Sequence, residues 1–238
     1  MKSAKDEIIR ILNGMVYRKR LDMFHSFIET FAIRLNFAAE KNMIEVRSKR
    51  FNEIMEQHTS EDHAVFTKLG NLLIEAFKEE AKNGPTDVLS EIYHMSKLAD
   101  KTLGESYTSP DVSALLADVA VEPVKKNMFK HIESKGYVSV YDSACGAGST
   151  LLEFAKYMYE NNLNYTKQLY AEGWDIDLMS ICMAYIQLTM YGIPAKLYHK
   201  NTITLEEFSV WRTLTYIRGG VKIKKYDDKG EENKDVHN

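Results

Sequence analysis

Residues 137–142, "YVSVYD", are a short run of β-branched and aromatic side chains that passes straight into "SACGAG" and then into the helical pattern of residues 149–160. A buried strand, a turn of small residues and a helix in immediate succession commit the chain to a strand–turn–helix unit. Gly146 and Gly148 let the main chain of such a turn approach a ligand with no Cβ in the way. Turns of this kind stand beyond the carboxyl ends of parallel strands, where open α/β sheets hold nucleotide-like ligands.

The segments that follow repeat the alternation. "QLYAEGWDID" (168–177) reads as a second strand and "LMSICMAYIQLTMYG" (178–192) as a helix apolar nearly all round, hence well buried. "AKLYHKNTI" (195–203) reads as a third strand, and the helix over 149–160 presents Leu152, Ala155 and Tyr159 on one side. Strand alternating with helix implies parallel pairing through right-handed crossovers, an open α/β sheet. "TLTYIRGGVKIKKYDD" (213–228) alternates around Gly219-Gly220 and predicts a hairpin. The charged end, residues 227–238, is expected to be disordered.

The first hundred residues read as helical. Phe24, Phe27, Ile28, Phe31 and Leu35 share one helical face, and Phe66, Leu69, Leu73, Ala76 and Phe77 share a second. That second helix ends near "NGP" (83–85), where Gly84 can stop it and Pro85 can open the next, carrying Val88, Leu89, Ile92 and Met95. These stripes are expected to be core. "RSKR" (47–50) is expected on a solvated face, because Glu45 and Glu53 flank it.

Composition narrows the function. Of 238 residues 45% are hydrophobic, enough for one sizeable domain or two small ones, and the net charge of −3 gives no global attraction to nucleic acid. Two cysteines make no disulfide framework and suit a reducing, cytoplasmic setting. The histidines show no metal-ligand spacing, and no signal peptide or membrane-spanning apolar run is present, so neither metal nor membrane is expected.

The turn lacks the third glycine of a dinucleotide fingerprint, with Leu151 in its place, and Asp175 lies further on than the ~20 residues expected of its acid. The lysine and hydroxyl of a phosphate loop are missing too. An adenosyl ligand carrying an amino acid fits better. Asp142 can face an ammonium group, Asp175 can accept both ribose hydroxyls, and Asn201 can meet an adenine edge. Competing structural roles stand beside these. Cys145 is a nucleophile or a small buried loop residue, Asp175 a ribose ligand or the cap of the helix near Leu178, and Trp174 an adenine neighbour or core filler. Tyr107 and Thr108 are ligand contacts or turn residues before a helix opened by Pro110.

"DSACGAG" (142–148) resembles the D-P-A-C-G-S-G motif of adenine-N6 DNA methyltransferases, the type I restriction-modification methylation subunits and their phage and plasmid relatives. Asp142, Ala144, Cys145, Gly146 and Gly148 match; Ser143 and Ala147 depart from it. "GESYTSPDV" (104–112) is similar to the family's G-[EQ]-F-[FY]-T-P segment, with the proline one position late, and "GWDID" (173–177) to its ribose-binding motif. "KNTIT" (200–204) is similar to its G-D-T-L segment, with Asn201 in place of an aspartate.

The resemblance implies a Rossmann-like S-adenosylmethionine-dependent methyltransferase fold, an α/β class with a truncated parallel sheet. A helical region over 1–103 would precede a cofactor domain over 104–226, with a tail over 227–238. It also implies that S-adenosylmethionine meets Tyr107, Thr108, Asp142, Ala144, Cys145, Gly146, Gly148, Trp174, Asp175, Ile176, Asn201 and Thr202. The family's catalytic [DNS]-P-P-[YFW] loop has no counterpart, since no Pro-Pro occurs anywhere. Residues 202–238 are also too few for the remaining strands, each of which takes about 25–30 residues with its crossover. The expectation is a cofactor-binding protein that is incomplete as an enzyme alone. It would form a homo- or hetero-oligomer and reach DNA through a partner subunit. Either the 213–226 hairpin, with Leu214, Tyr216, Val221 and Ile223 packed inward, or a partner is expected to cover the open edge of the first strand.

Overall fold

A computed structural model describes residues 3–98 and 127–219 of the chain. Ser3 opens α1 (Ala4–Asn13) with a capping box, its hydroxyl accepting from the Asp6 amide while the Asp6 carboxylate accepts from the Ser3 amide. Thr59 and Asp62 repeat the device at α4 (Ser60–Glu80). Between them run α2 (Tyr17–Ala39) and α3 (Ile44–Met55), and α5 (Val88–Met95) follows. The α4 stripe is buried throughout; on α2, Phe24, Phe27 and Ile28 are buried, while Phe31 and Leu35 pack at the rim. Met95 departs from expectation. It is the last residue of α5 and is 59% exposed. Gly84 does end the preceding turn with φ +93, but α5 starts only at Val88 under an Asp87 cap, so Pro85 lies outside it.

The second part begins with α6 (residues 127–135) and β1 (Val138–Asp142). Then come α7 (Ser149–Glu160), the single turn α8 (Tyr165–Gln168), β2 (Leu169–Asp175), α9 (Leu178–Met190) and β3 (Ala195–Lys200). β1 pairs with β2 and β2 with β3, both in parallel. On α7 the buried face is Leu151, Leu152, Phe154, Ala155 and Met158. Tyr159 lies outside it, 42% exposed, with its ring against Gly84.

β3 is shorter than the sequence suggests, and the hairpin lies elsewhere. The chain turns over residues 201–206, where the Asn201 amide donates to the Glu206 carbonyl at 2.9 Å and Leu205 takes φ +63. It returns as β4 (Glu207–Arg212), antiparallel to β3, giving the order β1-β2-β3-β4. Leu214–Ile217 is then a turn of helix, α10, capped by Thr213 and packed on β3 and α2. It does not reach β1, whose outer edge is unpaired among the described residues. Residues 220–238, including the rest of the expected hairpin and the tail, lie outside the described residues.

One face of the sheet buries Val138, Leu169, Ala171, Ala195, Leu197 and Trp211, which join the apolar stripes of the helices in a continuous core. The other face carries Tyr141, Trp174 and Tyr198 edge to face, with centroids 5.0 and 5.9 Å apart, and Lys200 Nζ 4.0 Å over the indole.

Arg47 is not on a solvated face. It is 6% exposed and lies 3.7 Å over the Trp211 ring, and its Nη2 donates to the Val210 carbonyl at 2.8 Å. Glu40, 4% exposed, lies 3.5 Å from Arg47 and 2.6 Å from Arg212 Nη1, and accepts from the Arg212 amide at 3.2 Å and from Asn36 at 3.0 Å. Glu40 and Arg47 thus satisfy outward-facing main-chain groups of β4, which protects that edge of the sheet. Only Lys49 and Arg50 of "RSKR" are exposed, and Arg50 makes a two-pronged pair with Glu29 at 2.6 and 2.8 Å.

Candidate functional site

The carboxyl ends of β1, β2 and β3 bring most of the expected residues together. Asp142 closes β1, and its Oδ1 accepts from the Ala144 amide at 3.0 Å, the local bond that lets aspartate start a turn. The Cys145 amide donates to the Trp174 carbonyl at 2.9 Å, fixing the turn to β2. Gly146 and Gly148 take φ +53 and +91, but for different ends. A Cβ on Gly146 would meet nothing within 4 Å, so open space lies over it; one on Gly148 would press on Ala184 of α9 at 3.3 Å. Gly146 permits approach, and Gly148 permits packing.

Asp175 ends β2. Its Oδ2 accepts from the Gly146 amide and its Oδ1 from the Asp177 amide, both at 2.9 Å. It does not cap α9; Asp177 does, accepting from the Met179 and Ser180 amides at 3.1 and 2.9 Å. Burial pushes the Asp175 carboxyl above the usual range, against the pull of the backbone amides. Each of its oxygens keeps a second lone pair. A half-buried acid with acceptor capacity to spare, beside open space at Gly146, fits a ribose diol.

Ile176 follows, 60% exposed, and its carbonyl lies 3.0 Å from His199 Nε2. Asn201 Oδ1 accepts from the Ile203 and Thr204 amides at 2.9 and 3.1 Å, closing the turn before β4. Only its NH2 group is left to meet a purine edge. Thr202 donates to the Ser143 carbonyl at 2.7 Å and so ties that turn to the glycine turn. Trp174 belongs to the aromatic face of the sheet, its Nε1 donating to Glu172 at 3.1 Å. Tyr107 and Thr108 lie outside the described residues.

Cys145 is a packing residue. It is buried, burial pushes its thiol well above the ordinary range, and it lies against Gly173. A Cβ on Gly173 would come within 2.8 Å of both Cys145 Sγ and Leu197 Cδ2. Gly173→Ala is therefore expected to destabilise the fold by about 1–3 kcal/mol, read from the urea midpoint, because neither contact can yield without moving the core.

Sequence reasoning missed Gln187 and Asp87. Gln187 is fully buried on α9, where its Nε2 donates to the Ala147 carbonyl at 2.9 Å and to Asp87 Oδ1 at 2.8 Å, and its Oε1 accepts from the Leu89 amide at 3.1 Å. Asp87 also accepts from the hydroxyl of Ser149, the first residue of α7. A lone amide on an otherwise apolar helix was the available signal. Among the described residues, no group of histidine, cysteine and carboxylate side chains could hold a metal, and no helix is long and apolar enough to cross a membrane.

No curated protein matches the chain. Among solved structures, it is similar to one described as a class I S-adenosylmethionine-dependent methyltransferase from Listeria monocytogenes. The identity is 15% and the TM-score 0.42, over 84% of this chain and 54% of that one. The chain thus spans about half the length of that structure. A family model, N-6 DNA methylase, matches residues 85–231. With the glycine turn and the acid of β2 where that match lies, the chain belongs to the N-6 DNA methylase family.

Proposed function

We propose that the chain binds S-adenosylmethionine at the tips of β1–β3 and is a DNA adenine-N6 methyltransferase-like protein of a restriction-modification or mobile-element system, working in the cytosol. The observation that carries this reading is the Asp175 carboxylate, anchored to the Gly146 amide beside the open side of the turn. Asp175 would accept the ribose hydroxyls, Asp142 would face the ammonium group, and the bare main chain at Gly146 would allow close approach. The bound cofactor supplies an activated methyl group. Presenting an adenine to it requires flipping the base, stacking it and holding its exocyclic nitrogen in line. The sequence has no Pro-Pro loop for that task.

A second reading follows from the missing loop and from the outer edge of β1, unpaired among the described residues. The chain is then a non-catalytic cofactor-binding subunit that completes a complex with a partner chain bringing the catalytic loop and the DNA contacts. Calorimetry with S-adenosylmethionine tests both readings, and absence of binding would remove both. Incubating the purified chain with radiolabelled cofactor and DNA then separates them. No label on DNA is the expected result; label transferred by the chain alone would remove the incomplete-enzyme view.

A further inference from the structure

Two side chains, the half-buried Asp175 and the fully buried Gln187, hold the peptides on either side of the Gly146–Ala147 pair. From the β2 side Asp175 accepts from the Gly146 amide, and from α9 Gln187 donates to the Ala147 carbonyl at 2.9 Å. Gly146 and Gly148, which flank Ala147, both occupy the left-handed region, where glycine has many other conformations open to it. A fixed donor on the carbonyl between them selects one.

The orientation of the Gln187 amide follows from its neighbours. The Leu89 main-chain amide can only donate, so it takes Oε1, while the Ala147 carbonyl and the Asp87 carboxylate can only accept, so they take the two Nε2 hydrogens. Asp87 is in turn held by the Ser90 amide at 3.0 Å and by the Ser149 hydroxyl. The helical front is thereby fastened to the turn through the Ala147 carbonyl and to the start of α7 through Ser149.

We infer that Gln187, oriented by Asp87, is a positioning residue that sets the turn in its cofactor-receiving conformation, an inference that rests on the S-adenosylmethionine reading above. Gln187 touches no ligand. It acts through the Ala147 carbonyl, and it makes cofactor affinity depend on how α5 is seated on α9.

The test titrates S-adenosylmethionine into the purified full chain by calorimetry, at a temperature where thermal melts show every variant fully folded. A wild-type chain that does not bind removes the cofactor reading itself, before any variant is compared. Given wild-type binding, Gln187→Leu should weaken it by about tenfold or more, because the turn loses its donor. Asp87→Ala should weaken it by about threefold or more, because the amide loses its second anchor. Asp87→Asn keeps an acceptor for both Gln187 and the Ser90 amide, and should recover most of the loss seen with alanine. Leu73→Ala, in the core of α4 away from the turn, serves as a destabilised control and should bind as the wild type does. Affinity of Gln187→Leu within about twofold of wild type would overturn the inference, and so would an equal loss in Leu73→Ala, since a general loss of stability would then suffice. Should Gln187→Leu fail to fold, the comparison of Asp87→Ala with Asp87→Asn decides.

Discussion

Glu40→Ala is expected to remove about 3–5 kcal/mol of stability, a large part of the roughly 5–15 kcal/mol typical of a domain. Glu40 accepts from Arg212 and Asn36 and is ion-paired with the buried Arg47 at 3.5 Å. Burial pulls the Arg47 guanidinium below its ordinary range, and Glu40 is the foremost charge holding it up. Without that carboxylate, Arg47 keeps only the Val210 carbonyl and the Trp211 ring, and its Nη1 has no hydrogen-bond partner among the described residues to begin with. Two arginines would then face one another across the space Glu40 leaves. Urea unfolding should show the loss as a lower midpoint at an unchanged slope. The exposed Arg50–Glu29 pair is the contrast, and its removal should cost about 1 kcal/mol or less.

The second large effect falls on binding. Asp175→Ala should weaken S-adenosylmethionine by about thirtyfold or more, the worth of two hydrogen bonds to a charged acceptor at about 1 kcal/mol or more each. Calorimetry would show it, and an affinity within about twofold of wild type would withdraw the ribose assignment. The same carboxylate has a signature in the absence of ligand. Burial raises its pKa in the folded state above the usual value of 3.8, so folding favours the protonated form. Its contribution to stability is full below 3.8 and is lost as pH rises through the raised value. Melts of wild type and Asp175→Ala across that window should therefore show the wild-type advantage shrinking with rising pH. Above that window the charged form of Asp175 weakens the fold, which makes sense where a ligand uses that charge.

The parts of the molecule ruled by local pattern were legible. "YVSVYD" holds β1 (Val138–Asp142), the turn through Gly146 and Gly148 follows it, and the helix over 149–160 matches to the residue. The stripe on α4 is core throughout. What the sequence hid depends on partners distant in the chain. Arg47 was judged by Glu45 and Glu53, its neighbours along the chain, whereas its real companions are Glu40 and a strand 163 residues on. The turn before β4 carries no glycine; Asn201 closes it and Leu205 accepts the left-handed conformation, so the usual marks of a hairpin were missing and those at Gly219-Gly220 stood out instead. Asn201 illustrates the limit for the site. Its spacing suggested an adenine contact, but its oxygen is engaged by two backbone amides.

The two ends of the sheet are unlike, and this gives assembly a direction. β4 is sealed by an arginine and a glutamate from the helical front, whereas β1 runs out at Asp142 with its far side unpaired among the described residues. Among the described residues, it is the β1 side that leaves strand hydrogen-bonding groups open to a further strand. A strand added there in parallel would have its carboxyl end on the same side of the sheet as the turn at Gly146, so on the proposed reading growth of the sheet and the cofactor site share one end of it.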